Sequence, residues 1–168
     1  MTSTQTGSDK TAGPTVAVPF RLEVVVIPVA DFDRAKNFYQ GLGWRFDGEL
    51  DLEGGYRLTQ FTPPESNASI IFGTQVTSAQ PGSFDGLYLI VDDIDAARQE
   101  LLSRGVEVGE VFHDTGGTVI GGFHVGDEGR APGPDPEGRS YATYMSFSDS
   151  EGNRWVLQEI TERAPDRV

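Results

Sequence analysis

An internal repeat constrains the fold of this chain more than any other feature of its sequence. The stretch VADFDRAKNFYQGLG at 29–43 is matched by VDDIDAARQELLSRG at 91–105. Five positions carry identical residues without a gap, and the offset is 62 at both ends, because 91 − 29 and 105 − 43 each give 62. One supersecondary unit therefore occurs twice in a single chain.

Each half of the chain is predicted to begin with a strand and continue with a helix. The run RLEVVVIPV at 21–29 is rich in Val, which predicts a strand that is buried on both faces. Asp31 and Asp93 are placed to cap the two helices, and Gly43 and Gly105 supply their left-handed ends. Turn residues separate the short apolar segments that follow each helix, so each half is predicted to be a βαβββ module.

The pattern of turns and apolar segments also gives the boundaries of these modules. We predict a disordered tail at 1–18, a first βαβββ module at 19–76, a linker at 77–83, a second module at 84–162 and a tail at 163–168. The N-terminal stretch has no periodic apolar face with which to offset the entropy of ordering, so it is predicted to be disordered.

The second module differs from the first by a long segment rich in Gly, Pro and Asp. A predicted strand at 106–112 is followed by a loop at 113–140. Loops of this length are often lids or binding loops, although a tolerated surface insertion is the alternative. Four glycines near its start and three prolines near its end suit a hinged lid. We therefore predict that the loop approaches Tyr88 and Gln158 at the mouth of a cleft.

Composition narrows the partners and the location. The formal net charge of −13 repels phosphate backbones and anionic lipids, so neither nucleic acid nor membrane is an expected partner. The chain has no cysteine, which excludes disulfide and thiolate chemistry. No window approaches the ~18 apolar residues of a spanning helix, and the N-terminus lacks a signal-peptide pattern. The predicted location is the cytoplasm.

Taken together, the motifs resemble the vicinal oxygen chelate superfamily, which contains glyoxalase I, the extradiol dioxygenases, and the bleomycin- and fosfomycin-resistance proteins. The resemblance covers roughly residues 20–161 and rests on VADFDRA with FYQGLGW, on VDDIDAA, and on FSDSEGNRWVLQE. It implies an α+β fold in which tandem βαβββ modules form an open half-barrel cleft around a ligand. The repeat is then explained, because neither half-barrel closes a pocket alone.

The resemblance also indicates where metal ligands would lie. In the metal-using members, four His, Gln or Glu side chains hold a divalent ion, and the corresponding positions here are Val24, Ile71, Gly86 and Val156. None of these side chains has an oxygen or imidazole donor, which a divalent cation requires. We therefore predict no metal and no other cofactor.

Strand alternation extends the predicted cleft lining beyond these four positions. Gly86 is notable, because a glycine inside an apolar strand often marks close approach by a ligand or a backbone. A mostly aliphatic and aromatic lining with a few amide and phenol groups suits a mid-sized, partly planar organic molecule. The predicted ligand-binding residues are Val24, Gln60, Ile71, Gly86, Tyr88, Tyr144, Val156 and Gln158.

The two histidines of the chain, His113 and His124, are the candidate catalytic residues. They lie eleven residues apart in or beside the long loop, since 124 − 113 gives 11, and this spacing is not that of a metal motif. Either they are solvated loop histidines or one of them transfers protons in the cleft, for which an imidazole is suited.

Three functions stay open at this point, and whether the chain is an enzyme is not decided by its sequence. The first is a metal-free protein that sequesters a small molecule, similar to the bleomycin-resistance proteins. The second is a cofactor-independent isomerase, lyase or cyclase that uses a loop histidine. The third is a metal-dependent lyase or dioxygenase, for which the metal-binding side chains are absent at the corresponding positions. The expected partner is a small molecule, and a homodimer is left open.

Overall fold

The computed structural model describes residues 18–165, so nearly all of the predicted 1–18 tail and the last three residues of the predicted 163–168 tail lie outside the described residues. The described part is a mixed α+β structure with a 3₁₀ turn at Gly121–Phe123. Neither of its two helices, each ten residues long, has the length to cross a membrane. In chain order the elements are β1 (Val24–Val26), α1 (Phe32–Gly41), β2 (Arg45–Leu52), β3 (Tyr56–Thr62), β4 (Ser69–Gly73), β5 (Asp85–Val91), α2 (Ile94–Ser103), β6 (Phe112–Asp114), β7 (Arg130–Pro132), β8 (Thr143–Ser148) and β9 (Arg154–Glu159).

The strands form two sheets with the same topology. Sheet A has the order β1-β4-β3-β2, in which β1 is parallel to β4 and the other pairs are antiparallel. Sheet B has the order β5-β9-β8-β6-β7, in which β5 is parallel to β9. The first four strands of sheet B repeat the order of sheet A, and β7 is an additional edge strand. The predicted tandem of βαβββ modules is confirmed.

Both helices begin and end where the sequence predicts. The side chains of Asp31 and Asp93 each accept a hydrogen bond from the backbone N–H three residues later, at 3.0 and 2.9 Å. Gly43 and Gly105 follow the helices with φ of +73° and +77°, a conformation that glycine adopts without strain. These ends depend on local side chains, which is why the sequence predicts them.

One aromatic core joins the two modules. The ring of Tyr39 on α1 lies 6.1 and 5.4 Å from the rings of Phe61 and Phe72 in sheet A, and 6.4 Å from Trp155 in sheet B. The Tyr39 hydroxyl donates to the carboxylate of Asp149 at 2.7 Å and accepts from the indole of Trp155 at 3.2 Å. Burial, followed by the nearby carboxylate, raises the pKa of Tyr39 well above its usual range. The phenol therefore stays protonated and donates across the junction.

The β8–β9 turn also caps the helix of the other module. The carboxylate of Glu151 accepts hydrogen bonds from the backbone N–H groups of Ala30 and Asp31 at 2.8 and 3.1 Å. It also pairs with the guanidinium of Arg34 at 2.7 Å. A carboxylate at this position satisfies helix donors that have no partner within α1 and interacts favourably with the helix dipole. The modules thus share hydrogen bonds as well as core.

The first strand is shorter and less buried than the sequence predicts. The prediction was wrong for 21–29: β1 spans only Val24–Val26, and its residues are half-buried. It lies at the edge of sheet A with β4 as its one neighbour, and Pro28 has no N–H with which to continue the pairing.

The segment predicted as a strand and a long loop has a different structure. The strand expected at 106–112 begins only at its last residue, because β6 spans Phe112–Asp114. β7 pairs antiparallel with β6, so the predicted loop at 113–140 contributes most of a hairpin to sheet B. Gly129 allows this return of the chain, because its φ is +74° and a Cβ there would lie 2.5 Å from the carbonyl oxygen of Val119.

Candidate functional site

The predicted ligand-binding residues lie on two sheets and face away from the shared core. Residues that alternate with them, such as Ile70 of sheet A and Leu157 of sheet B, belong to that core. Core residues of both sheets pack between the modules, and a pocket of about 210 Å³, lined by Ile70 of sheet A and by Gly86 and Tyr88 of sheet B, remains at their junction. Sheet A carries Val24, Gln60 and Ile71, and sheet B carries Gly86, Tyr88, Tyr144, Val156 and Gln158.

On the outer face of sheet B, Tyr144 and Gln158 lie opposite each other in register. The amide nitrogen of Gln158 donates to the Tyr144 hydroxyl oxygen and to the carbonyl of Tyr141, both at 3.0 Å. Burial raises the pKa of Tyr144, and the hydrogen bond from Gln158 offsets part of that rise. The neutral phenol keeps its own proton as a donor for a bound molecule.

Residues 115–129, hereafter the insertion, lie against this face. The hydroxyl of Tyr88 donates to the carbonyl of Gly122 at 2.6 Å. The ring of Phe123 stacks on Tyr88 with centroids 4.8 Å apart and meets Tyr144 edge-on at 6.3 Å. Gly122 comes so close that a Cβ there would lie 2.6 Å from Cε2 of Tyr144 and nearer still to two other ring atoms. The prediction that this part of the chain approaches Tyr88 is confirmed.

The insertion, sheet B and the segment before β8 line an open pocket of about 510 Å³, hereafter the main pocket. It contains Tyr144 and Gln158 but none of the predicted residues of sheet A. Its wall combines apolar and aromatic side chains with an amide, a guanidinium, a hydroxyl and the carboxylate of Asp114. The residues that matter for its chemistry are Ile120, Phe123, Arg139, Tyr141, Tyr144 and Gln158.

The rim of the main pocket is held by an ion pair. Arg139 donates to the buried carboxylate of Asp135 at 2.6 Å and to the carbonyl of Asp114 at 3.2 Å. The hydrogen bonds from Arg139 lower the pKa of Asp135 to about 2, so the carboxylate stays ionised at neutral pH. Tyr141 follows with φ of +70°, an uncommon conformation for a residue other than glycine. The segment is therefore fixed in one geometry around the guanidinium.

Neither histidine lies in the wall of the main pocket. His113 belongs to β6, where its Nδ1 is 2.9 Å from the carbonyl oxygen of Gly133. His124 follows the 3₁₀ turn, and its Nδ1 accepts a hydrogen bond from the backbone N–H of Gly126 at 3.1 Å. His124 does line an adjoining pocket of about 200 Å³, together with Tyr88.

The positions that hold a metal in the superfamily do not fit a metal ion in this chain. Val24 and Ile71 lie on sheet A, whereas Gly86 and Val156 lie on sheet B, and none has a donor atom in its side chain. Val156 is fully buried. Among residues 18–165, no group of three or more His, Asp or Glu side chains is arranged to hold a metal. These four residues therefore cannot coordinate a metal ion through their side chains.

The conformation of Gly86 gives a reason for glycine that needs no ligand. Its φ is +94°, and the pairing of β5 with β9 shifts register between Asp85 and Leu87. Glycine is the usual residue at such a bulge. A Cβ at this position would meet only the ring of Tyr88, at 3.5 Å. That Gly86 contacts a ligand stays a prediction.

Sequence reasoning missed the residues of the main pocket that lie outside regular strands. Phe123 and Ile120 come from the insertion, and Arg139 and Tyr141 come from the segment before β8. The one available signal was the apolar run TVIGGF at 118–123 inside an otherwise polar stretch. An apolar run in a glycine-rich segment indicates packing against another surface, and here that surface is sheet B.

Comparisons with known proteins agree with this architecture. A family model of the Glyoxalase/Bleomycin resistance protein/Dioxygenase superfamily matches residues 21–157. TnmS3, an antibiotic binding protein from Streptomyces sp. CB03234, has a similar structure at 24% identity, with a TM-score of 0.62 over 86% of this chain and 99% of that chain. A glyoxalase/bleomycin resistance protein from the same Streptomyces strain is 26% identical, with a TM-score of 0.58 over 83% of this chain and 100% of that chain. A superfamily member from Sphaerobacter thermophilus DSM 20745 is 25% identical, with a TM-score of 0.55 over 84% and 98%.

A comparison with curated proteins found no match. The family model nevertheless extends over most of the chain, from three residues before β1 to the middle of β9. The chain therefore belongs to the Glyoxalase/Bleomycin resistance protein/Dioxygenase superfamily.

Proposed function

We propose that the protein binds a mid-sized, partly aromatic small molecule in the main pocket and does so without a metal ion. The observation that carries this proposal is the composition of the pocket of about 510 Å³. Side chains of Phe123 and Tyr141 offer aromatic surface, while Gln158 and Arg139 offer a small number of fixed polar groups. Such a mixture is typical of small-molecule sites.

An antibiotic is the ligand class that we favour. TnmS3, which shares this fold, is an antibiotic binding protein, and another similar structure is a glyoxalase/bleomycin resistance protein. The likeness to TnmS3 at 24% identity concerns the fold, so the ligand class is suggested by the descriptions of these proteins, and the pocket supports only binding of a small molecule. The net charge of −13 would in addition attract a cationic ligand.

Binding without chemistry is supported by how the polar groups of the pocket are already engaged. Gln158 donates to two protein oxygens, and the guanidinium of Arg139 is held by Asp135. No histidine lies in the wall. A cofactor-independent isomerase, lyase or cyclase is the second candidate, because His124 and Tyr88 share the adjoining pocket.

We further propose that the protein is a cytoplasmic homodimer that covers the outer face of sheet A. On this face Leu50 and Leu52 of β2 are 42% and 49% exposed. The register of the sheet places Leu50 on the same face as Val24 and Ile71. An apolar sheet face of this kind is typical of an interface.

The test is a thermal-shift screen of antibiotics and aromatic metabolites, followed by titration of each hit. A ligand at ~100 times its Kd adds ~2.7 kcal/mol to the free energy of unfolding, which is readily measured. Phe123→Ala is expected to lose affinity by about tenfold or more, because it removes an aromatic wall. Val125→Ala is the matched control, since Val125 lies in the same insertion but is 94% exposed and outside the main pocket.

Equal effects of the two substitutions would contradict binding in the main pocket. Chelator treatment tests the metal-free part of the proposal, because ligand affinity is expected not to change. His124→Gln distinguishes the enzyme alternative, since it would abolish turnover of a hit while leaving its binding in the main pocket intact.

A further inference from the structure

A second pocket lies on the other side of sheet B, away from the insertion. Its volume is about 320 Å³, and it is lined by α2, by sheet B, by the connection between α1 and β2 at 42–44 and by the Pro63–Pro64 turn. The wall includes Trp44, Leu89, Leu101 and Phe147. It shares no residue with the main pocket.

The internal repeat explains why this pocket is open. Tyr39 of α1 corresponds to Leu101 of α2, and Phe38 corresponds to Glu100, because each pair is 62 positions apart. At the first junction, between α1 and the two sheets, the ring of Tyr39 fills the space and its hydroxyl donates a hydrogen bond to Asp149. At the second junction Leu101 and Glu100 line the pocket instead. The second pocket thus lies beside the two positions of α2 that have no aromatic side chain where α1 has Tyr39 and Phe38.

The charges at its mouth are already paired. The guanidinium of Arg104 contacts the carboxylate of Glu100 at 2.5 Å and donates to the carbonyl of Gly41 at 3.0 Å. It also packs on Gly43, where a Cβ would lie 2.9 Å from its Nη1. The remaining wall is apolar, so a charged molecule would find no partner for its charge inside.

We propose that the second pocket is a binding site for a small, neutral aromatic molecule of one or two rings. The volume lies at the lower end of the range for small-molecule sites, and apolar cavities lined by aliphatic and aromatic side chains bind benzene-sized molecules. The occupant takes the place that the Tyr39 ring takes at the first junction. This site does not depend on the function proposed for the main pocket.

The test uses toluene as the neutral probe, with benzoate and benzylamine as charged probes of similar size. Titration of the isotope-labelled full-length protein, followed by NMR, is expected to give saturable shifts for toluene at Ala97, Ile90 and Leu101. Both charged probes are expected to bind at least about tenfold more weakly, because burial would leave their charge unpaired. No saturation with toluene, or shifts confined to Phe123 and Tyr144, would overturn the proposal.

Two neighbouring leucines of α2 supply the variant and its control. Leu101→Phe places a ring in the pocket and is expected to abolish toluene binding. Leu102→Phe makes the same change at a residue that is 42% exposed and outside the pocket, so affinity is expected to stay within roughly twofold. If Leu101→Phe does not fold, Ala97→Phe, at another α2 residue of the wall, fills the pocket and is expected to give the same loss. Unchanged toluene affinity in a folded filling variant would refute the site.

Discussion

Substitution of Gly122 by alanine is the most direct perturbation of the main pocket. The backbone of Gly122 lies against the ring of Tyr144, and the added Cβ would be 2.6 Å from Cε2. Carbon atoms in favourable contact are about 3.5–4.0 Å apart. The 3₁₀ turn must therefore move away from sheet B by about 1 Å or more, because Tyr144 is buried and has no room to retreat.

The structure also indicates how much free energy this movement removes. It breaks the hydrogen bond from Tyr88 to the Gly122 carbonyl, which contributes about 0.5–1.5 kcal/mol. It separates the stacked rings of Phe123 and Tyr88, a pair that contributes about 0.5–1.5 kcal/mol beyond its buried area. We expect the insertion to be destabilised by roughly 1–3 kcal/mol, while the core between the modules is unaffected.

Hydrogen exchange and limited proteolysis of residues 115–129 measure this local effect. Gly122→Ala is expected to raise exchange in the insertion by about 5- to 150-fold, which is 1–3 kcal/mol expressed as an equilibrium constant, and to weaken ligand binding. Gly117→Ala is the matched control, since a Cβ at Gly117 meets no atom within 4 Å and its backbone φ is not in the left-handed region. If the two variants show the same exchange and the same ligand affinity, the insertion does not pack on sheet B as described.

Three further predictions concern other parts of the molecule. The pKa of Asp135 is about 2 in the folded protein, against 3.8 when the carboxyl is unpaired. Its pairing with Arg139 therefore stabilises the folded state fully above pH 3.8, and this stabilisation is lost as the pH falls through about 2. Asp135→Asn should remove this pH dependence from the free energy of unfolding. Tyr39→Phe removes one donor to Asp149, leaves the buried indole N–H of Trp155 without its acceptor, and should lower the free energy of unfolding by about 1–3 kcal/mol in a denaturant titration. Leu50→Lys should shift the proposed homodimer to monomer in sedimentation, and a monomeric wild type would contradict that proposal.

The parts of the fold that depend on local chemistry were predictable from the sequence. The caps at Asp31 and Asp93 and the glycines after both helices are set by neighbouring residues, and all are found as predicted. The extent of β1 and the start of β6 were predicted wrongly. Strand ends depend on which strands pair, and pairing partners lie far apart in the chain.

The candidate site was predictable only in part, for a related reason. Period-two alternation was enough to group Tyr144 with Gln158, because both lie on paired strands of one sheet. It could not show how the face of sheet A that carries Val24 lies relative to sheet B, since that depends on how the modules pack. Phe123 and Arg139 were missed because their positions depend on the backbone path of irregular segments.

The space beside Tyr39 of α1 is filled, whereas the corresponding space beside Leu101 of α2 is open. A single chain that contains both modules can have such a difference, but a symmetric pair of identical separate modules cannot. If two identical single modules associated through a twofold axis, every junction would be a copy of the other, and both would be filled or both open. Joining the modules covalently removes that restriction, so a change at Leu101 does not require one at Tyr39. One side of the molecule can then serve stability while the other is free to diverge.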